Sequence, residues 1–131
     1  MDILTLAGYY SLTPDGFEGA VADVLDRLGW STMQVVGATR DLGLDVLAHD
    51  PVGHVAAIQC KRRPPGSSVG SPVVQQFLAS VQIYRADRRL IFTTGSFSPQ
   101  AIEFARRRDV ELVDGSRLTQ LAHLSQPDNK G

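Results

Sequence analysis

Residues 44–61 have the sequence LDVLAHDPVGHVAAIQCK, in which two apolar runs lie on either side of a turn. The first run, Leu44–His49, and the second, His54–Lys61, each have the length and composition of a β-strand. Between them, Asp50-Pro51-Val52-Gly53 supplies residues that favour a turn. The segment therefore predicts an antiparallel hairpin. The nearly continuous apolar run that opens the second strand is typical of a central strand covered on both faces.

Three polar residues occupy positions in this hairpin where a buried sheet favours apolar ones. Asp45 lies inside the first strand, and Gln59 and Lys61 end the second, two residues apart and hence on one face. Asp45 lies beside them if the numbers of paired residues add up to an even number, as they do when Asp45 is opposite Gln59 or Ala57. Such a pairing requires an odd-length loop or a β-bulge.

Each of these residues also has a purely structural explanation. Asp45 could have no role beyond hydrogen bonds to the backbone, although an acid in an apolar strand must be paired or coordinated. Gln59 could only satisfy the sheet, and Lys61 could only open the basic segment that follows it. Cys60 is interpreted as a small buried residue whose side chain points away from Asp45, rather than as a nucleophile.

The functional interpretation of the cluster is a magnesium site, because Mg²⁺ prefers hard oxygen ligands and keeps several waters. Asp45 supplies the anionic ligand, Gln59 an amide oxygen, and the backbone carbonyl of Cys60 a third contact. A bound ion polarises a scissile phosphate and lowers the pKa of an attacking water. Lys61 then orients that water or stabilises the negative charge that develops in the transition state.

Periodicity and turn residues elsewhere predict alternating helices and strands in the order αβββαβαβα. Predicted helices begin at Thr13, Ser71 (to about Tyr84), Ser98 and near Leu118, and predicted strands are Trp30–Val36, Leu90–Thr94 and Val110–Val113, with a polar connection at Gly37–Gly43. The first three strands form an antiparallel meander, and the second helix crosses over to the fourth strand. This is an α/β fold with one mixed sheet and helices on its faces. All 131 residues form one domain, with a core at about residues 13–124 and a disordered tail at 125–131.

Composition narrows the class of protein. The single cysteine excludes an intramolecular disulfide and a cysteine-based zinc site. No apolar stretch approaches the roughly 20 residues that span a bilayer, and no secretion signal precedes the first helix, so we expect a cytoplasmic protein that does not engage membranes. Nine of the thirteen bases fall in three clusters, Lys61–Arg63, Arg85/Arg88/Arg89 and Arg106–Arg108. They are compatible with a phosphate-binding surface or, alternatively, with solvated ends of helices and strands.

The segment RDLGLDV at residues 40–46, followed by QCKR at residues 59–62, resembles the Mrr-type restriction endonucleases of the PD-(D/E)xK nuclease superfamily. The resemblance covers about residues 17–121, and it includes Phe17-Glu18, Val69-Gly70, Gln75, Thr93-Thr94-Gly95 and Asp114-Gly115. It implies a nuclease domain with an αβββαβ core that hydrolyses phosphodiester bonds with a divalent metal. It also implies catalytic roles for Asp45, Gln59 and Lys61 and a supporting role for Glu18. Since this group has glutamine where most of the superfamily has an acid, the site has one anionic ligand fewer, and Glu18 could compensate through a water.

From the residues and the resemblance together we expect an endonuclease for double-stranded DNA that uses Mg²⁺, with Mn²⁺ able to substitute, and works as a homodimer. The expected DNA-backbone contacts come from a flexible loop after Lys61 and from the next helix, at Arg62, Arg63, Ser67, Ser68 and Gln75. One alternative is a structure-specific junction or repair nuclease of the same superfamily. Another is a catalytically silent DNA-binding module. The sequence leaves open whether a separate partner protein recognises the DNA.

Overall fold

A computed structural model of the chain describes Gly8, residues 13–39 and residues 43–126. The helices are α1 (Pro14–Arg27), α2 (Ser71–Val81), α3 (Pro99–Arg107) and α4 (Gly115–Ser125), with a 3-10 turn at Gln82–Tyr84. The strands are β1 (Ser31–Thr39), β2 (Gly43–His49), β3 (Val55–Lys61), β4 (Ser68–Val69), β5 (Arg88–Thr93), β6 (Ser96–Phe97) and β7 (Val110–Val113). No helix in this described part of the chain is long and apolar enough to cross a membrane.

The main sheet has five strands in the order β1-β2-β3-β5-β7. The first three pair antiparallel, as the short connections between them predicted, and β3, β5 and β7 are parallel. Helices α2 and α3 provide the crossovers that parallel neighbours require. The predicted mixed sheet with a central third strand is therefore confirmed, whereas the separate two-stranded sheet that β4 and β6 form was not predicted.

Side-chain caps fix where three of the helices begin. The Thr13 hydroxyl accepts a hydrogen bond from the backbone N–H of Gly16 at 3.0 Å, and Pro14 occupies the first turn of α1. The Ser98 hydroxyl caps α3 by accepting a hydrogen bond from the backbone N–H of the third helical residue, Ala101. The Asp114 carboxylate caps α4 in the same way, through the N–H of Arg117. The predicted helix starts at Thr13 and Ser98 are confirmed.

The sheet separates two apolar cores. Helices α1 and α4 cover one face, which we call the α1 face, and α2 and α3 cover the other, the α2 face. Strand β3 contributes to both, since Ala56 and Ile58 pack on the α1 face and Ala57 packs on the α2 face. Complete burial of Phe17 on one face and Phe77 on the other stabilises the fold by about 1.5–3 kcal/mol each.

Some predicted boundaries are wrong. Strands β1 and β2 pair as far as Thr39 and Gly43, so most of the predicted polar connection is strand, and residues 40–42 lie outside the described residues. Backbone pairing with a neighbour, rather than side-chain polarity, decides strand length there. The predicted disordered tail also begins too early. Ser125 is buried and is the last residue of α4, where its hydroxyl donates to the Ala122 carbonyl, and residues 127–131 lie outside the described residues.

Candidate active site

The backbone register of β2 and β3 places Asp45 directly opposite Gln59. This is one of the two pairings that the sequence predicted. It follows from the odd-length connection between His49 and Val55, which are themselves a pair at the other end of the ladder. The same register puts Gly37 of β1 opposite Asp45, so this backbone position lies between two neighbouring strands.

Gln59 is fully buried at the carboxyl end of β3. Because alternate strand residues face opposite sides, Gln59 shares the α2 face with Ala57, and so does the half-buried Lys61. A glutamine can be buried here at lower cost than a carboxylate, since its amide carries no charge. The structure therefore brings Gln59 and Lys61 together on one face, beside the backbone position of Asp45.

Two threonines complete this edge of the sheet, and neither was singled out as a site residue from the sequence. Thr93 ends β5 directly opposite Lys61, and Thr94 follows it; both are fully buried. The Thr93 hydroxyl accepts a hydrogen bond from the backbone N–H of Gly95 at 3.2 Å. Two hydroxyls directly after an apolar strand are the signal that could have identified them, because the carboxyl ends of parallel strands β3 and β5 meet at one edge.

Glu18 and Cys60 lie together on the opposite face of the sheet. With Ile58 they line an apolar cavity of about 210 Å³ between α1 and the sheet. Burial, and then the negative charge of Glu18, raises the pKa of the Cys60 thiol far above its usual value. A thiol held in its neutral form is a poor nucleophile, which supports the structural interpretation of Cys60. The structure thus groups Glu18 with Cys60 rather than with the face that holds Gln59.

The segment Arg62–Gly70 was predicted to be a flexible loop, but hydrogen bonds fasten it to the sheet, and its residues Ser68–Val69 form strand β4. The Arg63 backbone N–H donates to the Thr94 hydroxyl at 2.7 Å, and that hydroxyl donates to the Arg63 carbonyl at 2.9 Å. Strand β4 pairs in parallel with β6. These partners lie about thirty residues away in sequence, so local composition could not reveal them.

Gly95 packs against this loop at a position where a side chain would not fit. A Cβ atom there would lie 2.6 Å from the Ser67 carbonyl oxygen, which real Cβ atoms do not approach. Of the other proposed DNA contacts, Ser68 is exposed at the start of β4. Gln75 is exposed on α2, with its amide nitrogen 3.4 Å from the Ser71 hydroxyl.

Several arginines of the three basic clusters are paired with acidic residues away from the candidate active site. Arg88 begins β5, at the opposite end from Thr93, and its guanidinium donates to Asp50 at 3.0 Å and to Glu111 at 2.7 Å. Burial opposes ionisation of Asp50. Even so, hydrogen bonds from the His54 N–H, Arg88 and the Val52 N–H together hold the pKa of the Asp50 carboxyl below its usual value. In the third cluster, Arg106 and Arg107 both bind Glu103. Only the Lys61–Arg63 cluster lies at the candidate active site.

Comparison with known proteins identifies the family of the chain. The family model Mrr_cat, described as restriction endonuclease, matches residues 9–122. The type IV methyl-directed restriction enzyme EcoKMrr of Escherichia coli (strain K12) is 37% identical over an alignment of 123 residues, and the match covers 88% of this chain and 40% of that enzyme.

Two solved structures share the fold. The DNA modification-dependent restriction endonuclease AspBHI superposes with a TM-score of 0.68 at 20% identity, covering 92% of this chain and 33% of that one. EndoMS in its apo form gives a TM-score of 0.61 at 17% identity, covering 79% of this chain and 46% of that one. The chain spans less than half the length of each of the three proteins. With a family match over residues 9–122, the chain belongs to the Mrr-type restriction endonuclease family.

Proposed function

We propose that this chain is a metal-dependent endonuclease domain that hydrolyses phosphodiester bonds of double-stranded DNA, with Asp45, Gln59 and Lys61 as its catalytic residues. The observation that carries the proposal is the β2–β3 register, in which Asp45 lies opposite Gln59 and Lys61 follows two residues later. In a chain of the restriction endonuclease family, this juxtaposition supplies an acid, an amide and an ammonium group at one edge of the sheet.

The donor atoms of this edge fit a hard divalent cation. Restriction endonucleases of this superfamily generally use divalent metal ions. The Asp45 carboxylate, the Gln59 amide oxygen and the Cys60 backbone carbonyl are all oxygen donors, which suits Mg²⁺, with Mn²⁺ as a substitute.

In this proposal, a bound ion polarises the scissile phosphate and lowers the pKa of the attacking water. Lys61 places its ammonium group where negative charge develops on the phosphate and orients the water by hydrogen bonding. Gln59, buried and uncharged, fixes its amide oxygen without repelling the phosphate. Glu18 lies on the α1 face, so its supporting role must be exerted around the carboxyl end of β3, through a water.

The remaining proposed residues hold the DNA rather than cut it. Arg62 and Arg63 follow Lys61 directly, and the two bonds between Thr94 and the Arg63 backbone determine where this segment can meet a phosphate. Ser67 and Ser68 lie further along the same segment. Gln75, exposed on α2, adds an amide that can bond a phosphate oxygen.

Three further features of the proposal concern the whole protein. Cutting both strands requires two active sites, so a two-fold homodimer is the simplest assembly. We expect the protein to act in the cytoplasm. A partner protein or another part of a longer chain is a candidate for DNA recognition, because the match covers less than half of each of these proteins.

The test is cleavage of supercoiled plasmid by the purified chain with Mg²⁺, with Mn²⁺ and with EDTA. Asp45→Asn is expected to reduce the single-turnover rate by about a hundredfold or more, since it removes the only charged ligand proposed. Asp26→Asn, at an exposed position of α1, is the matched control and should cleave as the wild type does. Equal cleavage by wild type and Asp45→Asn would remove Asp45 from the site. Cleavage of a four-way junction without cleavage of linear duplex would favour the structure-specific alternative.

A further inference from the structure

A long part of this chain contains no acidic residue. Between Asp50 and Asp87 the sequence has neither Asp nor Glu. This part includes β3, the loop after Lys61, helix α2 and the 3-10 turn that follows it. Helix α2 itself carries no charge of either sign. The surface that these elements themselves contribute is therefore free of the carboxylates that would repel a polyanion.

This acid-free surface ends in a groove, which we call the arginine groove, between the C-terminal half of α2, the start of β5 and the residue after α3. Its cavity volume is about 520 Å³. Three arginines and two glutamines line it together with apolar residues: Arg85, Arg89, Arg108, Gln75 and Gln82. None of its lining residues is acidic.

Uncharged groups contact two of the three arginines of this groove. The Arg89 guanidinium donates to the Ala86 carbonyl at 3.1 Å and to the Asp109 carbonyl at 3.3 Å. The Arg108 guanidinium lies 5.2 Å from the centre of the Phe104 ring. Neither contact neutralises a positive charge. The contrast is with Arg106, on the same helix end as Arg108, whose guanidinium is paired with the Glu103 carboxylate at 2.9 Å.

The groove and the candidate active site lie on the same side of the sheet. Arg89 alternates with Ile91 and Thr93 along β5, and Ile91 packs on the α2 face. In the parallel ladder Arg89 lies opposite Ala57, whereas Thr93 lies opposite Lys61. Four strand residues therefore separate the groove from the site, which is about 13 Å along the strand direction. On a DNA duplex this is about four base pairs, since each strand has one phosphate per roughly 3.4 Å.

We propose that the outer surface of α2 and the arginine groove bind the sugar-phosphate backbone of duplex DNA several base pairs away from the bond that is cut. The inference rests on the proposed nuclease function, because that function supplies the DNA. Guanidinium and amide groups are the usual donors to phosphate oxygens, and contacts of this kind add affinity without sequence preference. The groove thus lengthens the DNA footprint beyond the residues at the carboxyl end of β3.

The test measures DNA affinity as a function of salt, in EDTA so that the DNA is not cut. Fluorescence anisotropy with a labelled duplex of about 24 base pairs compares wild type with Arg85→Gln/Arg108→Gln, both exposed positions. The slope of log K against log salt is negative, and each lost phosphate contact reduces its magnitude by about 0.9. The slope of the double variant should therefore be shallower than that of the wild type by about 1.8. Its Kd at 0.1 M salt should rise by tenfold or more.

The matched control is Arg106→Gln/Arg107→Gln, which removes the same total charge next to Arg108 at the end of α3, but from arginines that are paired with Glu103. Its salt slope should stay within about 0.5 of the wild-type value. The proposal is overturned if the groove variant and this control have the same slope. Failure of the nuclease function gives a different result: DNA binding that depends on the groove, with no plasmid cleavage in either metal. Cleavage with unchanged slopes instead rejects the groove and leaves the nuclease function intact.

Discussion

The two ends of strand β5 hold their polar residues in opposite ways. At the first end, Arg88 is paired with Asp50 and Glu111, and its guanidinium lies 5.0 Å from the centre of the Trp30 ring. The bond to Glu111, more than that to Asp50, raises the pKa of the guanidinium above its already high value. At the other end, Thr93 and Thr94 bond backbone groups through neutral hydroxyls.

This difference separates stability from chemistry within one strand. Charges that bind each other at the first end satisfy each other and hold the sheet edge together. Neutral hydroxyls at the carboxyl end fix the backbone around Lys61 and Arg63 without supplying an acid that would neutralise their charge. We therefore expect substitutions at the first end to change the free energy of unfolding, and substitutions at the other end to change cleavage.

The largest effects should come from removing one cation at each end. Lys61→Met is expected to reduce single-turnover cleavage by about 10²–10³-fold, as does the loss of one group that stabilises transition-state charge, with little change in the unfolding temperature. Arg88→Met should lower the unfolding temperature by about 5–10 °C, because Asp50 stays buried without its cation. Its cleavage rate, measured below that temperature, should stay within about twofold. If both variants lose only stability, Lys61 has no catalytic role.

A smaller effect is expected at Thr94, a positioning residue that touches neither substrate nor metal. Thr94→Val removes both bonds to the Arg63 backbone and should destabilise the fold by about 1–3 kcal/mol. It should also raise the KM for DNA several-fold with a smaller change in kcat, since the phosphate-binding segment is displaced. Thr94→Ser keeps the hydroxyl and should recover both values.

The control for Thr94 is Thr119→Val, which removes a threonine hydroxyl that bonds the Gly115 carbonyl within α4. It should leave KM unchanged whatever its effect on stability. Equal shifts of KM in Thr94→Val and Thr119→Val would show that Thr94 acts through general stability alone.

Replacing either of two glycines by alanine should change the free energy of unfolding by no more than Thr94→Val does, and the two replacements should act in opposite directions. Gly95→Ala places a Cβ 2.6 Å from the Ser67 carbonyl and should cost about 1–3 kcal/mol, with weaker DNA binding because the loop must move. Gly19→Ala, in α1 with no atom within 4 Å of the added Cβ, should instead stabilise the protein by up to about 1 kcal/mol. Urea unfolding of both variants measures the difference. Stabilisation by Gly95→Ala would contradict the tight packing of the loop.

Much of this arrangement could be predicted from the sequence, and the rest depends on contacts between distant residues. The apolar runs around Asp45 and Gln59 predicted the hairpin, its register and the mixed sheet, because strand alternation and loop length are local properties. The bonds between Thr94 and Arg63 could not be predicted in this way, since composition describes the loop as flexible. The separation of Glu18 from Gln59 also depends on which face α1 covers, and neither helix periodicity nor residue spacing determines that.

The smallest predicted effect is the pH dependence that Asp50 contributes at the first end of β5. Burial raises the pKa of this carboxyl, but the hydrogen bonds from His54 N–H, Arg88 and Val52 N–H lower it by more. A group whose pKa is lower in the folded than in the unfolded state stabilises the fold fully when the pH is above the unfolded-state pKa, about 3.9. That contribution is lost as the pH falls through the lower, folded-state pKa.

Asp50→Asn removes this titration. Urea unfolding between about pH 3 and pH 6 should therefore show that the wild type loses more stability than Asp50→Asn below about pH 4. In thermal scans, the fall in unfolding temperature between pH 6 and pH 3 should be a few degrees larger for the wild type than for Asp50→Asn. Cleavage at pH 7 should stay within about twofold of wild type, because Asp50 lies at the end of the sheet away from Lys61. Parallel pH curves for the two proteins would mean that the pKa of Asp50 is the same in the folded and unfolded chains. The contrast between the two ends would then depend on Arg88 and Glu111 alone.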